Sequence, residues 1–112
     1  MTIMEHYVGF CIVLKKGFRE WEWYGDANTT MLYLHLLLTA NAEIKKWRGA
    51  ELGIGKIVSN PRKLAIETGL SEGIVRSSLK KLCRTGYVTT KRYKGETVYH
   101  LPYFNSYGRW MD

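Results

Sequence analysis

The spacing of apolar residues at the start of the chain predicts a strand followed by a short helix. The run His6–Leu14 (HYVGFCIVL) is rich in β-branched and aromatic residues, which is typical of an extended strand or arm. Phe18, Trp21 and Tyr24 then recur every three positions, with charged residues between them. That spacing indicates a short amphipathic helix, which should end at the Gly-Asp pair that follows.

A leucine-rich helix is expected next. Asn28 is predicted to cap a helix that runs to about Ala42. Leucines cover most of its circumference, so the helix should be central and buried: Leu32, Leu34, Leu36, Leu37 and Leu38. The following segment, Lys45–Ser59, contains three glycines and is predicted to form a loop with one or two short strands, the last at Lys56–Val58.

Two capped helices separated by a tight turn are predicted after this segment. Asn60 as N-cap and Pro61 at the first helical position indicate a helix over Pro61–Thr68, with Gly69 as its stop. Ser71 is then expected to cap a second helix that ends at Thr85-Gly86. The inward positions are predicted to be Leu64 and Ala65 in the first helix, and Val75, Leu79, Leu82, Ile74 and Cys83 in the second.

The last quarter of the chain has the pattern of a β-hairpin. Tyr87–Tyr93 and Thr97–Leu101 are strand-like, and Lys94-Gly95-Glu96 joins them. The tail from Pro102 is aromatic and is expected to pack back on the body of the protein.

This order of elements predicts a winged helix-turn-helix, an α+β fold with a three-helix core and a small antiparallel sheet or wing. Ala65, Gly69 and Val75 have the small, glycine and aliphatic spacing of a helix-turn-helix, although any αα-hairpin uses similar turn chemistry. We expect one domain over residues 1–112. It comprises an N-terminal arm and short helix in 1–27, the winged helix in 28–101 and the aromatic tail in 102–112.

The positive charge is concentrated in the predicted helix-turn-helix and hairpin. The chain of 112 residues has a formal net charge of +7. Residues 60–94 hold nine basic and two acidic side chains, a net of +7, whereas residues 1–59 have a net of +1 and residues 95–112 a net of −1. A cationic helix face followed by a cationic hairpin favours a nucleic-acid partner over a merely structural αα-hairpin.

The predicted site for double-stranded DNA is the outer face of the second helix together with the hairpin. Ser71, Glu72, Arg76 and Ser77 are expected to face base edges, with Arg76 suited to guanine and Glu72 to a cytosine amine. Phosphate contacts are assigned to the remaining cations, which are Arg62, Lys63, Lys80, Lys81, Arg84, Lys91, Arg92 and Lys94.

Several other functional classes find no support in the sequence. The apolar run Met31–Leu38 is too short to span a bilayer, and no Lys or Arg precedes the first apolar stretch, so a cytoplasmic protein with no membrane partner is expected. The histidines, Cys11 and Cys83 lack metal-ligand spacing. No phosphate-binding loop, dinucleotide fingerprint or nucleophile elbow occurs, so neither an enzyme nor a cofactor is expected.

Four strings in the chain resemble the N-terminal domain of phage replisome organisers, replication initiators related to the DnaD-type primosome proteins. The strings are WEWY at 21–24, LLL at 36–38 with AN at 40–41, KWRG at 46–49, and the helix-turn-helix residues between Leu64 and Gly86. The resemblance covers roughly residues 8 to 101. It implies a winged-helix module that binds DNA at a replication origin and works with other replication proteins.

The sequence leaves other roles open. A winged helix also serves transcriptional regulators and protein–protein modules, and the latter would show no salt-dependent affinity for a duplex. A single-strand or RNA binder would expose aromatics among its charges, and only Tyr87 and Tyr93 fit that description. His6–Leu14 is expected to mediate homo-oligomerisation through its strand edge, unless it pairs within the domain against Gly49–Val58.

Overall fold

The computed structural model describes residues 10–12, 16–41, 43–104 and 108–110. It is an α+β structure with small antiparallel sheets, and its arrangement is compatible with a winged helix. In chain order the elements are β1 Phe10–Ile12, a 3₁₀ helix Lys16–Glu20, α1 Ala27–Thr39, β2 Lys45–Trp47, β3 Ala50–Leu52, β4 Lys56–Ser59, α2 Pro61–Thr68, α3 Glu72–Arg84, β5 Thr89–Tyr93, β6 Glu96–His100 and β7 Gly108–Trp110.

Helix α1 lies at the centre, but its ends and its outer face differ from the prediction. The N-cap is Asp26, not Asn28, because the Asp26 carboxylate accepts a hydrogen bond from the Thr29 backbone N–H at 3.2 Å. The helix ends at Thr39, where Ala40 turns to an extended conformation. Its buried face is formed by Leu32, Tyr33, Leu36 and Leu37, whereas Leu38 is 70% exposed. The helix therefore buries one broad face and not its full circumference.

The two helices after residue 60 begin and end as predicted. The Asn60 side chain accepts from the Lys63 N–H at 2.8 Å, and the Ser71 hydroxyl accepts from the Ile74 N–H at 3.1 Å. Between the helices Gly69 takes a left-handed conformation with φ of 79° and donates its N–H to the Ala65 carbonyl. Such a backbone favours glycine because a Cβ would crowd the following peptide.

The buried stripe of α3 is narrower than the sequence indicated. Val75, Ser78, Leu79 and Leu82 are buried, in the i, i+3, i+4, i+7 pattern of a single helix face. The expectations for Ile74 and Cys83 are wrong, since both are exposed. Each lies one residue outside the stripe, and one residue turns the helix by roughly 100°.

The main sheet has the order β4-β6-β5, and all of its pairs are antiparallel. The predicted hairpin is confirmed as β5–β6, although its first strand starts at Thr89 because the N–H groups of Tyr87 and Val88 bond to the Leu82 carbonyl of α3. A second hairpin, β2–β3, forms where a loop with one or two strands was expected. In each hairpin the turn consists of a cationic residue followed by a glycine, and both residues have positive φ. The turn is Arg48-Gly49 in β2–β3 and Lys94-Gly95 in β5–β6.

The two termini meet in a separate sheet. β1 pairs with β7, with Phe10 opposite Trp110, and the described residues of β1 do not pair with the Gly49–Val58 segment. The rest of His6–Leu14 lies outside the described residues. Instead of the amphipathic helix over Phe18–Tyr24, a 3₁₀ helix ends at Glu20 and a turn follows.

Some of the aromatic residues near the two ends of the chain pack on the core. The Trp21 ring lies 5.0 Å from that of Tyr33 in α1, as measured between centroids. In the tail Phe104 is 2% exposed, as expected, but Tyr103 is 48% exposed. No helix in the described part of the chain has the length and apolar character needed to cross a membrane.

Three glycines, each substituted by alanine in turn, should separate the effects of backbone strain and steric overlap on the free energy of unfolding. Gly69→Ala should lower the free energy of unfolding by about 1–2 kcal/mol, because its φ is positive while nothing lies within 4 Å of the new Cβ. Gly55→Ala should cost more, roughly 3 kcal/mol, because its Cβ would also lie 2.9 Å from the Phe104 Cβ.

Gly73→Ala, inside α3 with open space around it, is the matched control and should stabilise by about 0.5 kcal/mol. Urea denaturation monitored by circular dichroism gives the three values. Equal losses at positions 55 and 69 would contradict the close packing of Gly55 on Phe104.

Candidate nucleic-acid interface

A cationic groove lies between α3, the start of α2 and the β5–β6 hairpin. Its volume is about 820 Å³. Four cations line it, Arg76 and Lys80 from α3 and Lys91 and Arg92 from β5, and none of the described residues that line it is Asp or Glu. The fold thus brings residues of α3 and β5 together on one concave surface. Both elements belong to residues 60–94, the basic segment.

The periodicities of the helix and the strands explain this convergence. Burial of one stripe of α3 leaves Arg76 and Lys80 on the opposite side, and both residues are exposed. In the hairpin Thr90 is paired with Tyr99 and Arg92 with Thr97, and these four residues line the groove. Alternate residues of a strand point to opposite faces, so this face of the sheet is turned towards α3.

Arg76 and Glu72 form an ion pair on the outer surface of α3. The Arg76 guanidinium donates to a Glu72 carboxylate oxygen at 2.7 Å, and both side chains are largely exposed. An exposed i, i+4 pair contributes little net free energy, so a stronger partner can replace either member. The two residues predicted to read bases therefore lie side by side, each with the other as its partner in the free protein.

The Arg92 guanidinium is held across the hairpin. One terminal nitrogen donates to the Thr97 hydroxyl at 3.1 Å and the other to the Gly95 carbonyl at 3.1 Å. These bonds fix the position of the positive charge at the mouth of the groove without neutralising it. A pre-positioned guanidinium loses less side-chain entropy when it binds an anion.

Lys81 lies on a different side of α3 from the groove. Its ammonium donates to the Asp26 carboxylate at 2.7 Å and sits 5.8 Å from the centroid of the Trp23 ring. The hydrogen bond from Lys81 is the main cause that lowers the pKa of Asp26 below 3.8. The structure therefore joins Lys81 to the N-terminus of α1, away from the other predicted phosphate contacts.

The remaining predicted residues are not among those that line the groove. Lys94 sits at the hairpin tip, where its ammonium donates to the Arg48 carbonyl at 2.9 Å. Five others are exposed on α2, α3 and the turn between them, namely Arg62, Lys63, Ser71, Ser77 and Arg84. Arg48, which contacts Lys94, was not among the residues predicted for the site. In the sequence it stands before the glycine of a possible turn, within the KWRG string at 46–49.

Two polar side chains on the surface of the groove carry no negative charge at neutral pH. Partial desolvation raises the pKa of the Cys83 thiol, and burial is the main cause that raises the pKa of the Tyr99 hydroxyl. Both groups stay protonated at pH 7, so neither adds a negative charge to the groove lining.

Within the described ranges no three residues among His, Cys, Asp and Glu come close enough to hold a metal ion. Comparison of the chain with protein-family models, with curated proteins and with solved structures finds no match.

The Lys81–Asp26 pair should give a stability difference that depends on pH. Because the pKa of Asp26 is lowered in the folded state, the stabilisation is fully present above pH 3.8 and is lost as the pH falls through the folded-state pKa. Lys81→Met should reduce the free energy of unfolding by about 0.5 kcal/mol at pH 7, because the partly exposed pair is screened by solvent, and by less at pH 2.

Lys80→Met removes the same charge from the neighbouring residue and should leave stability unchanged at both pH values. Urea titrations at pH 7 and pH 2 make the comparison. A loss for Lys81→Met that is the same at both pH values would show that the ion pair is not its source.

Proposed function

We propose that this protein is a winged-helix protein that binds double-stranded DNA, with α3 in the major groove and the β5–β6 hairpin as the wing. The observation that carries the proposal is the groove lined by Arg76, Lys80 and Arg92, with Lys91 of the edge strand β5 at its border. An exposed helix with a cationic outer face fits the major groove, which is about 12 Å wide. The hairpin cations then contact the phosphates beside it.

The Glu72–Arg76 pair is proposed to open when DNA binds. In the major groove Arg76 can donate two hydrogen bonds to guanine, and Glu72 can accept one from a cytosine amine. Because the pair is exposed, its loss costs little and the exchange of partners is favourable. Lys80, Lys91 and Arg92 position the helix without reading sequence.

The biological role that we propose is in replication initiation, as a module like that of phage replisome organisers. This part of the proposal is supported by the resemblance of the tryptophan-rich strings and the helix-turn-helix residues. A role on DNA places the protein in the cytoplasm of its host cell. A second role, as a protein–protein module, is favoured by the exposure of Leu38 and Ile66, at 70% and 75%.

Duplex binding should depend on salt and on the groove cations. If four to six phosphates are neutralised, a plot of log affinity against log salt should have a slope of about −4 to −5. Lys80→Ala with Lys91→Ala should weaken binding to any duplex and make the slope less steep by about 2.

The matched control is Arg19→Ala with Lys45→Ala, which removes the same charge from exposed positions outside the groove lining. It should retain most of the affinity and the slope. Fluorescence anisotropy with a labelled random duplex provides the measurement. Equal losses for the two double variants would mean that net charge, and not the groove, determines binding.

Arg76 should contribute to sequence preference and Lys80 should not. After selection of a preferred site from a random duplex pool, Arg76→Ala should lose about 1–3 kcal/mol on that site and little on random DNA. Lys80→Ala should weaken both alike because it contacts phosphate. If the two variants lose the same amounts on both kinds of duplex, Arg76 does not read a base.

A further inference from the structure

A second cavity lies on the face of the main sheet that is turned away from the groove. Its volume is about 170 Å³, and it sits between the β2–β3 hairpin and the sheet. Aromatic and aliphatic side chains form much of its wall, with charged groups among them: Trp47, Tyr93, Leu52, Val98, Glu51 and Lys91. In sequence Trp47 is far from Tyr93, yet their ring centroids lie 5.7 Å apart.

The two hairpins that form the cavity are fastened to each other at their turns. The Arg48 guanidinium donates to the Lys94 carbonyl at 3.2 Å, and the Lys94 ammonium donates to the Arg48 carbonyl at 2.9 Å. Each cation also lies over the aromatic ring beside it, 5.1 Å from Trp47 and 5.5 Å from Tyr93. The walls are therefore held in place before any ligand enters, and the rim is positively charged.

The size and chemistry of the cavity fit a single aromatic ring with polar edges. A cavity of about 150 Å³ in another protein holds one benzene molecule, so this one has room for one planar base. Aromatic walls favour stacking on a flat ring. The Glu51 carboxylate can accept from a ring N–H, and a lysine ammonium can donate to a ring carbonyl.

We propose that this cavity binds one unpaired pyrimidine base of a DNA strand whose adjoining duplex lies in the groove. The proposal rests on the proposed function for the position of the duplex. Lys91 lines both the groove and the cavity, and β5, which carries it, is an edge strand of the sheet. A strand that leaves the duplex can therefore pass around this edge with a phosphate at Lys91 and a base in the cavity.

The test compares duplexes that carry overhangs with equal numbers of phosphates. One overhang contains thymidines and the other contains abasic residues, so only the bases differ. The thymidine overhang should bind about 5- to 100-fold more tightly, the range expected for stacking of one base on aromatic side chains. An adenosine overhang should show a smaller gain than thymidine, because adenine in a nucleotide has neither a ring N–H for Glu51 nor a ring carbonyl for a lysine of the cavity.

Two variants test the cavity itself. Trp47→Leu removes an aromatic wall and Ala50→Leu fills the space while Trp47 stays, so each should abolish the thymidine advantage and leave blunt-duplex affinity unchanged. Tyr103→Leu, which removes an exposed aromatic outside the cavity lining, should keep that advantage. Circular dichroism establishes that each variant is folded.

Equal affinity of thymidine and abasic overhangs, with blunt-duplex binding intact, would overturn the base pocket and leave the proposed function standing. Equal gains for adenosine and thymidine would overturn the pyrimidine assignment. If no duplex binds, the proposed function fails. The cavity is then tested by comparing the affinity for isolated oligothymidylate with the affinity for an abasic oligomer. A lack of preference there overturns it as well.

Discussion

The packing of α3 against α1 fixes the position of nearly every other element. The buried residues of α3 meet the leucine face of α1, and together with Leu64 of α2 they form the core. A buried hydrogen bond of 3.2 Å from the Thr29 hydroxyl to the Ser78 hydroxyl crosses this contact. Because two buried polar groups must meet, the bond sets the register of the two helices as well as their proximity.

Once one face of α3 is buried, its opposite face has to remain accessible, and the sheet is attached so that it borders that face. The chain leaves α3 through backbone bonds to the Leu82 carbonyl and enters β5 directly. This short connection holds the hairpin next to the helix and forms the groove between them. The WEWY segment supports the end of α3 from the other side, where the Trp23 indole donates to the Thr85 hydroxyl at 3.0 Å.

The cations of residues 60–94 make different kinds of contact, and the net charge of the segment does not distinguish them. Some of its cations face the groove, while Lys81 is held by Asp26 and Lys94 fastens one hairpin to another. Only cations that are free to contact a polyanion contribute to a salt-dependent affinity. The net charge of +7 in residues 60–94 therefore does not give the number of cations that are free to contact a polyanion.

Features that depend on residues three or four positions apart could be predicted from the sequence. The caps Asn60 and Ser71, the left-handed Gly69 and the hairpin around Gly95 were predictable because each is defined by local backbone geometry. The outward positions of Arg76 and Lys80 followed from helical periodicity. Arg76, Lys80 and Arg92 therefore line the groove in accordance with the periodicities of their helix and strand.

Contacts between distant segments could not be predicted from local patterns and are seen only in the folded chain. Lys81 meets Asp26 across 55 positions and Lys94 meets Arg48 across 46, and no local spacing encodes either contact. The pairing of β1 with β7 and the cavity between Trp47 and Tyr93 arise in the same way. Such contacts are selected by the burial of apolar surface over the whole chain, which a pattern within one element does not contain.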